Sequence, residues 1–243
     1  MLRRIGIQLY MKSHQWSAAL GEALGWEWLT YNPLVRYSFE RAARRNAPKV
    51  VDAVLKEFPD LKTIADVGCG SGGYVAEFQK RGIRAVGCEY SAVSRKAAER
   101  KKVVVYPFDL SQSSGPLPGA PFDAALTVEV GEHIPSQLAM TFVDYLSATS
   151  DRIIFTAAQP GQGGPGHINE QPKSYWIAKF ASCGFEVDKS ASRKVADHLR
   201  SLQAFPYLFN NVSIFVRSRS GTKIGQDPQL QGPPQGPPQG PPA

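Results

Sequence analysis

A short apolar run, Thr63-Ile64-Ala65-Asp66-Val67, ends in an acid and enters the glycine-rich turn Gly68-Cys69-Gly70-Ser71-Gly72-Gly73. Tyr74-Val75-Ala76-Glu77-Phe78 then reads as the start of a helix. Strand, tight loop and helix in that order open a nucleotide-binding α/β unit. Glycine suits the loop because it accepts backbone angles that a side chain forbids, and because it lets the main chain approach a ligand closely. The spacing is ambiguous. Gly68, Gly70 and Gly73 fit a G-x-G-x-x-G dinucleotide pattern, whereas Gly68, Gly70 and Gly72 fit a G-x-G-x-G turn. Asp66 weighs on the choice. A pyrophosphate seeks backbone N–H groups and a helix N-terminus, not a carboxylate beside it. A carboxylate at the end of the first strand suits a ligand with a positive end.

The rest of the chain alternates between strand-like and helix-like segments. Residues 36–57 read as a helix, with Val51, Val54 and Leu55 at helical spacing and Pro59 beyond its end. Strands are expected at 63–67, 84–89, 102–106, 122–129, 151–157, 185–188 and 212–217. Helices are expected at 73–81, 91–100, 136–148, 172–183 and 192–203, with Ser91 as an N-cap and Gly184 as the residue that ends its helix. Strands separated by helices imply an α/β fold, a doubly wound, mostly parallel sheet with helices on both faces.

With its acid and glycines, the first motif reads Asp66-Val67-Gly68-Cys69-Gly70-Ser71-Gly72. It resembles the D-V-G-C-G-S-G motif of the class I S-adenosylmethionine (SAM)-dependent methyltransferases. The family implies a Rossmann-like sheet of seven strands in which the last strand inserts antiparallel. It also implies SAM as cofactor, whose ammonium and sulfonium supply the positive end that Asp66 calls for. Glu89 ends the second strand roughly 20 residues after the loop, where an acid can accept both ribose hydroxyls. SAM and NAD share that ribose, so Glu89 does not choose between them. By the family resemblance, Asp109 bonds the adenine amino group and Leu110 packs near the ring. The plain alternative for Asp109 is an Asx-type turn before Ser111.

Two further stretches carry the resemblance. Phe122-Asp123-Ala124-Ala125-Leu126-Thr127-Val128-Glu129-Val130-Gly131-Glu132-His133 is similar to the family's fourth-strand motif, F-D-x-x-x-x-x-E-V-x-E-H. Strand carboxyl ends build the ligand crevice in such sheets, so Glu129 would flank the methionine part of SAM. Gly166-His167-Ile168-Asn169-Glu170-Gln171-Pro172-Lys173-Ser174-Tyr175-Trp176 resembles the G-H-x-N-x-Q-x-x-x-Y-W loop of a subset of the family. His167, Asn169 and Gln171 would present donors and acceptors to a polar or sugar-containing acceptor, with Tyr175 beside them. Core packing is the plainer role for Trp176. His167 and His133 are the candidate bases for an acceptor hydroxyl. No metal-ligand cluster, nucleophile elbow or N-P-P-Y-type motif of amino-methylating enzymes is evident, and no metal is expected.

Composition sets outer bounds. With 42% hydrophobic residues the chain can build a core, and no apolar run reaches the roughly 20 residues of a membrane span. The basic N-terminus lacks a signal peptide's apolar centre. Cys69, Cys88 and Cys183 lack metal spacing and suit a reducing compartment, the cytoplasm by default. A net charge of +7 admits nucleic acid as a partner, but no dense Lys/Arg run with interleaved aromatics supports it. Arg95, Lys96, Arg100, Lys101 and Lys102 read as a solvated face.

Three regions follow: an aromatic-rich cap at 1–35, the SAM-dependent domain at 36–218, and a tail at 219–243. The tail repeats Gly-Pro-Pro-Gln with a four-residue period from Gly232, which excludes collagen and suits polyproline-like disorder. Transfer of a methyl group from SAM to a polar small-molecule or sugar-containing acceptor, on oxygen, is the expected activity. A non-enzymatic scaffold of the same fold and a nicotinamide-dependent oxidoreductase are the alternatives.

Overall fold

The computed structural model describes residues 33–112 and 115–218. The expected tail, and the expected cap up to residue 32, lie outside the described residues. The first element is helix α1, Pro33–Glu57, which starts three residues before the expected 36. Then come β1 (Thr63–Val67), α2 (Gly73–Lys80), β2 (Arg84–Glu89), α3 (Ala92–Glu99), β3 (Val105–Pro107) and β4 (Ala124–Val128). Helix α4 (Ala139–Thr149), β5 (Arg152–Thr156), α5 (Lys173–Ser182), β6 (Phe185–Val187), α6 (Lys189–Ser201), α7 (Pro206–Asn211) and β7 (Ser213–Arg217) complete the order.

The seven strands form one sheet in the order β3-β2-β1-β4-β5-β7-β6. All neighbouring pairs from β3 to β5 are parallel, and β7 lies antiparallel to both β5 and β6. This is the expected Rossmann-like, doubly wound arrangement. Side chains alternate across the sheet with a period of two. Ile64, Leu126, Ile154 and Ile214 face one way and meet Val51 and Val54 of α1, Val75 and Phe78 of α2, and Val195 and Leu199 of α6. Ala65, Ala125, Ile153, Phe155 and Phe215 face the other way and meet Phe142 and Leu146 of α4 and Trp176 and Phe180 of α5. Burying both faces is why the strands read as nearly continuous apolar runs.

Several boundaries moved for local reasons. Strand β3 begins at Val105 rather than at the expected 102, because Lys102 takes a left-handed turn with φ of 58°. Helix α6 begins at Lys189 rather than 192, because the Asp188 carboxylate accepts the Ala191 N–H at 2.8 Å and caps it. Ser91 caps α3 as expected, accepting the Ser94 N–H. Helix α7 was not foreseen: Phe205 to Asn211 is too short to show a helical period, although Pro206 occupies the first turn, where proline belongs. Asp123, the acid of the fourth-strand motif, has a structural task. Its Oδ2 accepts the Lys62 and Thr63 N–H groups at 2.9 and 2.8 Å, which pins the start of β4 to the start of β1. Among the described residues no helix is long and apolar enough to cross a membrane.

Candidate active site

In this strand order β1 and β4 are neighbours with their connections leaving in opposite directions. Such a switch point opens a crevice at the strand carboxyl ends. Asp66 sits there, 2% exposed, and its Oδ2 has no hydrogen-bond partner among the described residues. Burial, and then the charge of Glu89, push its pKa up to about 8. A carboxylate left in that state is costly unless something positive reaches it.

The glycine loop follows. Gly68 has φ of 79°, and a Cβ there would lie 2.6 Å from Cγ2 of Val130, so only glycine fits between the loop and β4's continuation. Gly70 also has positive φ, but a Cβ there would meet nothing within 4 Å. Its outer side is open, as a cradle for a ligand requires. The Gly70 N–H donates to Oε2 of Glu89 at 2.8 Å, and the Ser91 N–H donates to Oε1 at 2.8 Å. Glu89 therefore ends β2, as expected, and from there it also braces the glycine loop, which the sequence did not show. Gly72 is the left-handed residue at the head of α2. Lys101 corrects the reading of its neighbourhood as a solvated face. Its ammonium donates to the Ser71 carbonyl and hydroxyl at 2.9 and 2.7 Å and pairs with Glu40 of α1 at 3.1 Å.

Asp109 stands beyond β3 and forms the turn that was its plain alternative. Its carboxylate accepts the Ser111 N–H and hydroxyl and the Gln112 amide. Those bonds, the Ser111 hydroxyl first, hold its pKa below the usual carboxylate range. Leu110 is half-buried against the apolar cluster that includes Phe108.

On the other side of the crevice, β4 ends at Val128 and Glu129 turns left-handed with φ of 54°. Such a backbone is strained for glutamate and clusters at functional sites. The Glu129 N–H donates to the Thr156 carbonyl and hydroxyl. Its carboxylate accepts from Gln162 at 2.6 Å and from Asn211 at 3.1 Å. A 3-10 turn, Gly131–His133, comes next. Its Glu132 carbonyl accepts the N–H groups of Ile168 and Asn169 at 2.9 and 3.0 Å. The two motif stretches, 36 residues apart in sequence from 132 to 168, are thereby fastened into one wall.

That wall carries both histidines, with ring centroids 5.0 Å apart. His133 Nδ1 lies 2.9 Å from the Gly166 carbonyl, and burial followed by the presence of His167 lowers its pKa to about 4. His167 Nδ1 lies 2.7 Å from Oε1 of Glu170, and its Nε2 lies 3.9 Å from Oε1 of Glu132. Glu170 also accepts the N–H groups of Gly161 and Gly163, which closes the loop on itself. Burial acts to raise the Glu170 pKa, but the bonds from His167 and those two amides outweigh it and lower it. Glu132 is fully buried, and burial followed by the charge of Glu129 raises its pKa. Neither of its oxygens has a well-formed hydrogen bond among the described residues, although the amides of Glu132 and Ala158 lie close enough to favour the ionised form weakly.

Asn169 is buried, and it serves the loop. Its Nδ2 reaches the Gly131 carbonyl at 3.5 Å and its Oδ1 accepts the Gln171 amide at 3.0 Å. Tyr175 is half-buried at the start of α5, with Lys179 over its ring, while Trp176 packs against Phe155 and Phe142 in the core.

Residues 39–155 match the sequence family described as a methyltransferase domain. The matched stretch, just under half of the chain, is a methyltransferase domain. No curated protein sequence matches the chain. Its methyltransferase domain shares a fold with solved structures of low sequence identity. A magnesium protoporphyrin IX methyltransferase from Synechocystis, solved with bound S-adenosylhomocysteine, is 17% identical, covers 81% of this chain and 100% of its own, and has a TM-score of 0.57. A sugar N-methyltransferase from Streptoalloteichus is 17% identical with coverages of 72% and 88% and a TM-score of 0.55. An amino pentose methyltransferase from Micromonospora echinaspora, solved with SAM, is 14% identical with coverages of 76% and 97% and a TM-score of 0.55. The family match sets the nicotinamide-dependent alternative aside.

The methyltransferase domain also uses residues that the sequence did not single out. Gln162 and Asn211 hold the Glu129 carboxylate, and Gln159 donates to Asn211 Oδ1 at 3.0 Å. Tyr74 and Tyr207 are near enough to feel Glu129; burial first, and then that charge, push the Tyr207 hydroxyl up to about 12. Tyr74 follows the last motif glycine and was visible there. Asn211 gave no signal, because α7 brings it back from the far end of the chain.

Proposed function

We propose that this methyltransferase moves the methyl group of SAM onto an oxygen of a polar small-molecule or sugar-containing acceptor. The observation that carries the reading is the buried, unpartnered oxygen of Asp66 beside the open cradle at Gly70. A nucleoside with a cationic end answers both features. Asp66 faces that end. Gly68, Gly70 and Gly72 shape the loop around the cofactor, and Glu89 takes the ribose hydroxyls. Asp109 and Leu110 hold the adenine, and Glu129 lines the methionine part.

SAM supplies a methyl group on a sulfonium, which is already a good leaving group. The protein has mainly to align the acceptor oxygen with the methyl–sulfur bond and to exclude water. His133 and His167 deal with that oxygen. His167 is the better placed, because its Nδ1–H is given to the Glu170 carboxylate, which can support a developing imidazolium, whereas His133 has only the Gly166 carbonyl behind it and burial lowers its pKa to about 4. Asn169 and Gln171 hold the acceptor loop in shape, and Tyr175 borders it. The sugar methyltransferases among the solved relatives support a small acceptor. The free thiols of Cys69, Cys88 and Cys183 suit the cytoplasm.

Calorimetric titration with SAM, S-adenosylhomocysteine and NAD tests the cofactor. The first two should bind, and at least tenfold more weakly to Asp66→Ala and Glu89→Ala. Binding of NAD alone would overturn the reading; no binding of any of them would favour a scaffold.

A further inference from the structure

We propose that Glu132, His133 and His167 form a binding site for a divalent first-row transition-metal ion. Each offers a ligand atom, and the three atoms lie within 4.8 Å of one another. Their chemistry is that of a two-histidine, one-carboxylate set, which leaves further positions open for oxygen ligands. Ligands at about 2.1 Å from a metal stand roughly 3.4 Å apart in a tetrahedral site. Closing around an ion thus needs shifts of about 1 Å, within the reach of side-chain rotation.

Three observations point to a cation rather than to a passive cluster. Glu132 is 0% exposed and both of its oxygens lack a well-formed hydrogen bond among the described residues. Both imidazoles are already oriented from behind. His133 gives its Nδ1–H to the Gly166 carbonyl and His167 gives its Nδ1–H to Glu170, so each keeps an Nε2 lone pair for a ligand. Metal-binding histidines are held in this way, the rear hydrogen bond setting the tautomer and raising ligand basicity. The charge is also one-sided. Glu129 and Glu170 both act on Glu132, and none of the ion pairs recorded among the described residues brings a Lys or Arg to any of the three.

The site stands at the carboxyl end of β4, beside Glu129, where the acceptor is expected. A bound dication would hold an acceptor hydroxyl oxygen at its open positions and make that hydroxyl more acidic. This task rests on the methyl-transfer reading; metal binding itself does not. Ligation uses the same Nε2 lone pair that would otherwise take the hydroxyl proton, so the metal replaces His167 as the group that acts on the acceptor.

Co2+ titration of the tag-free, chelator-stripped full chain tests the proposal. The visible absorption of the ion is followed, with Zn2+ as competitor. One Co2+ per chain should bind, be displaced by Zn2+, and bind at least tenfold more weakly to Glu132→Gln and His167→Gln. Glu132→Gln keeps the shape of the side chain and removes its charge, so its melting temperature without metal should not fall. His198→Ala, on α6 and away from the cluster, should leave Co2+ binding unchanged. Equal binding by wild type and Glu132→Gln, or loss of binding in His198→Ala, would overturn the site, as would the absence of a Co2+ band. A SAM titration on the same stripped protein separates the two readings. Lost SAM binding with intact Co2+ binding breaks only the methyltransferase assignment.

Discussion

Asp66 shows how one residue can carry a ligand's signature. Its folded pKa, about 8, lies above the ordinary 3.8. The folded protein therefore holds a proton that the unfolded chain gives up, and the residue's contribution to stability is lost as pH rises from about 4 through 8. A ligand ammonium draws the pKa back down, so the proton leaves on binding. SAM affinity should consequently rise with pH, by at most about tenfold per unit, and level off above pH 8. Asp66→Asn should flatten that profile, weaken SAM binding, and raise the melting temperature of the ligand-free protein at pH 8. Calorimetry in buffers of different ionisation heat reads the released proton directly. A pH-independent affinity in the wild type would show that Asp66 does not meet the cofactor's charge. Asp109 is the opposite case. Its turn already gives it local partners, so the sequence pattern alone could not separate a ligand contact from a local one.

At the scale of elements, the wall over the crevice is made by two short segments that hold each other. The 3-10 turn Gly131–His133 is stitched to residues 168 and 169 through the Glu132 carbonyl. Gly131 lets the turn sit tightly on the core beneath it, since a Cβ there would lie 2.6 Å from Cζ2 of Trp176 and 3.2 Å from Cβ of Ala157. The indole is buried between Phe155 and Phe142 and has no room to swing aside. Gly131→Ala should cost about 1–3 kcal/mol by overpacking. It should displace the turn that carries Glu132 and His133, so activity should fall while SAM affinity changes little. Thermal melting and a cofactor titration check the two halves, and an unaltered melting point would show that the indole yields. Sequence motifs marked both segments, yet said nothing of their contact, because carbonyl-to-amide stitches leave no trace in side-chain identity.

At the scale of the whole molecule, one sheet shares its two faces between helix layers, and the crevice is a property of the strand order. Cofactor binding should therefore stabilise the folded chain as a unit. S-adenosylhomocysteine at 100 times its Kd should add about 2.7 kcal/mol. For a domain of this size that is roughly 5–10 °C in Tm. Differential scanning fluorimetry reads the shift, and a change under 2 °C at saturation would argue against a nucleoside site built by this fold.

The alternation of apolar runs with amphipathic segments determined the layered α/β fold, because each strand had to be covered on both faces. The glycine loop after Asp66 determined a left-handed turn with an open side at the carboxyl end of β1, since those backbone angles belong to glycine. The place of Glu89 at the end of β2 was legible too. Tertiary structure alone decided the rest. It placed Asn211 on Glu129, Lys101 on the glycine loop, and Glu170 behind His167. It also joined Glu132 and His133 to His167 in a cluster whose spacing along the chain follows no metal-binding pattern. The physical reason is that such contacts depend on how two loops pack at neighbouring strand ends, and the register of β4 against β5 sets that, not any local run of residues.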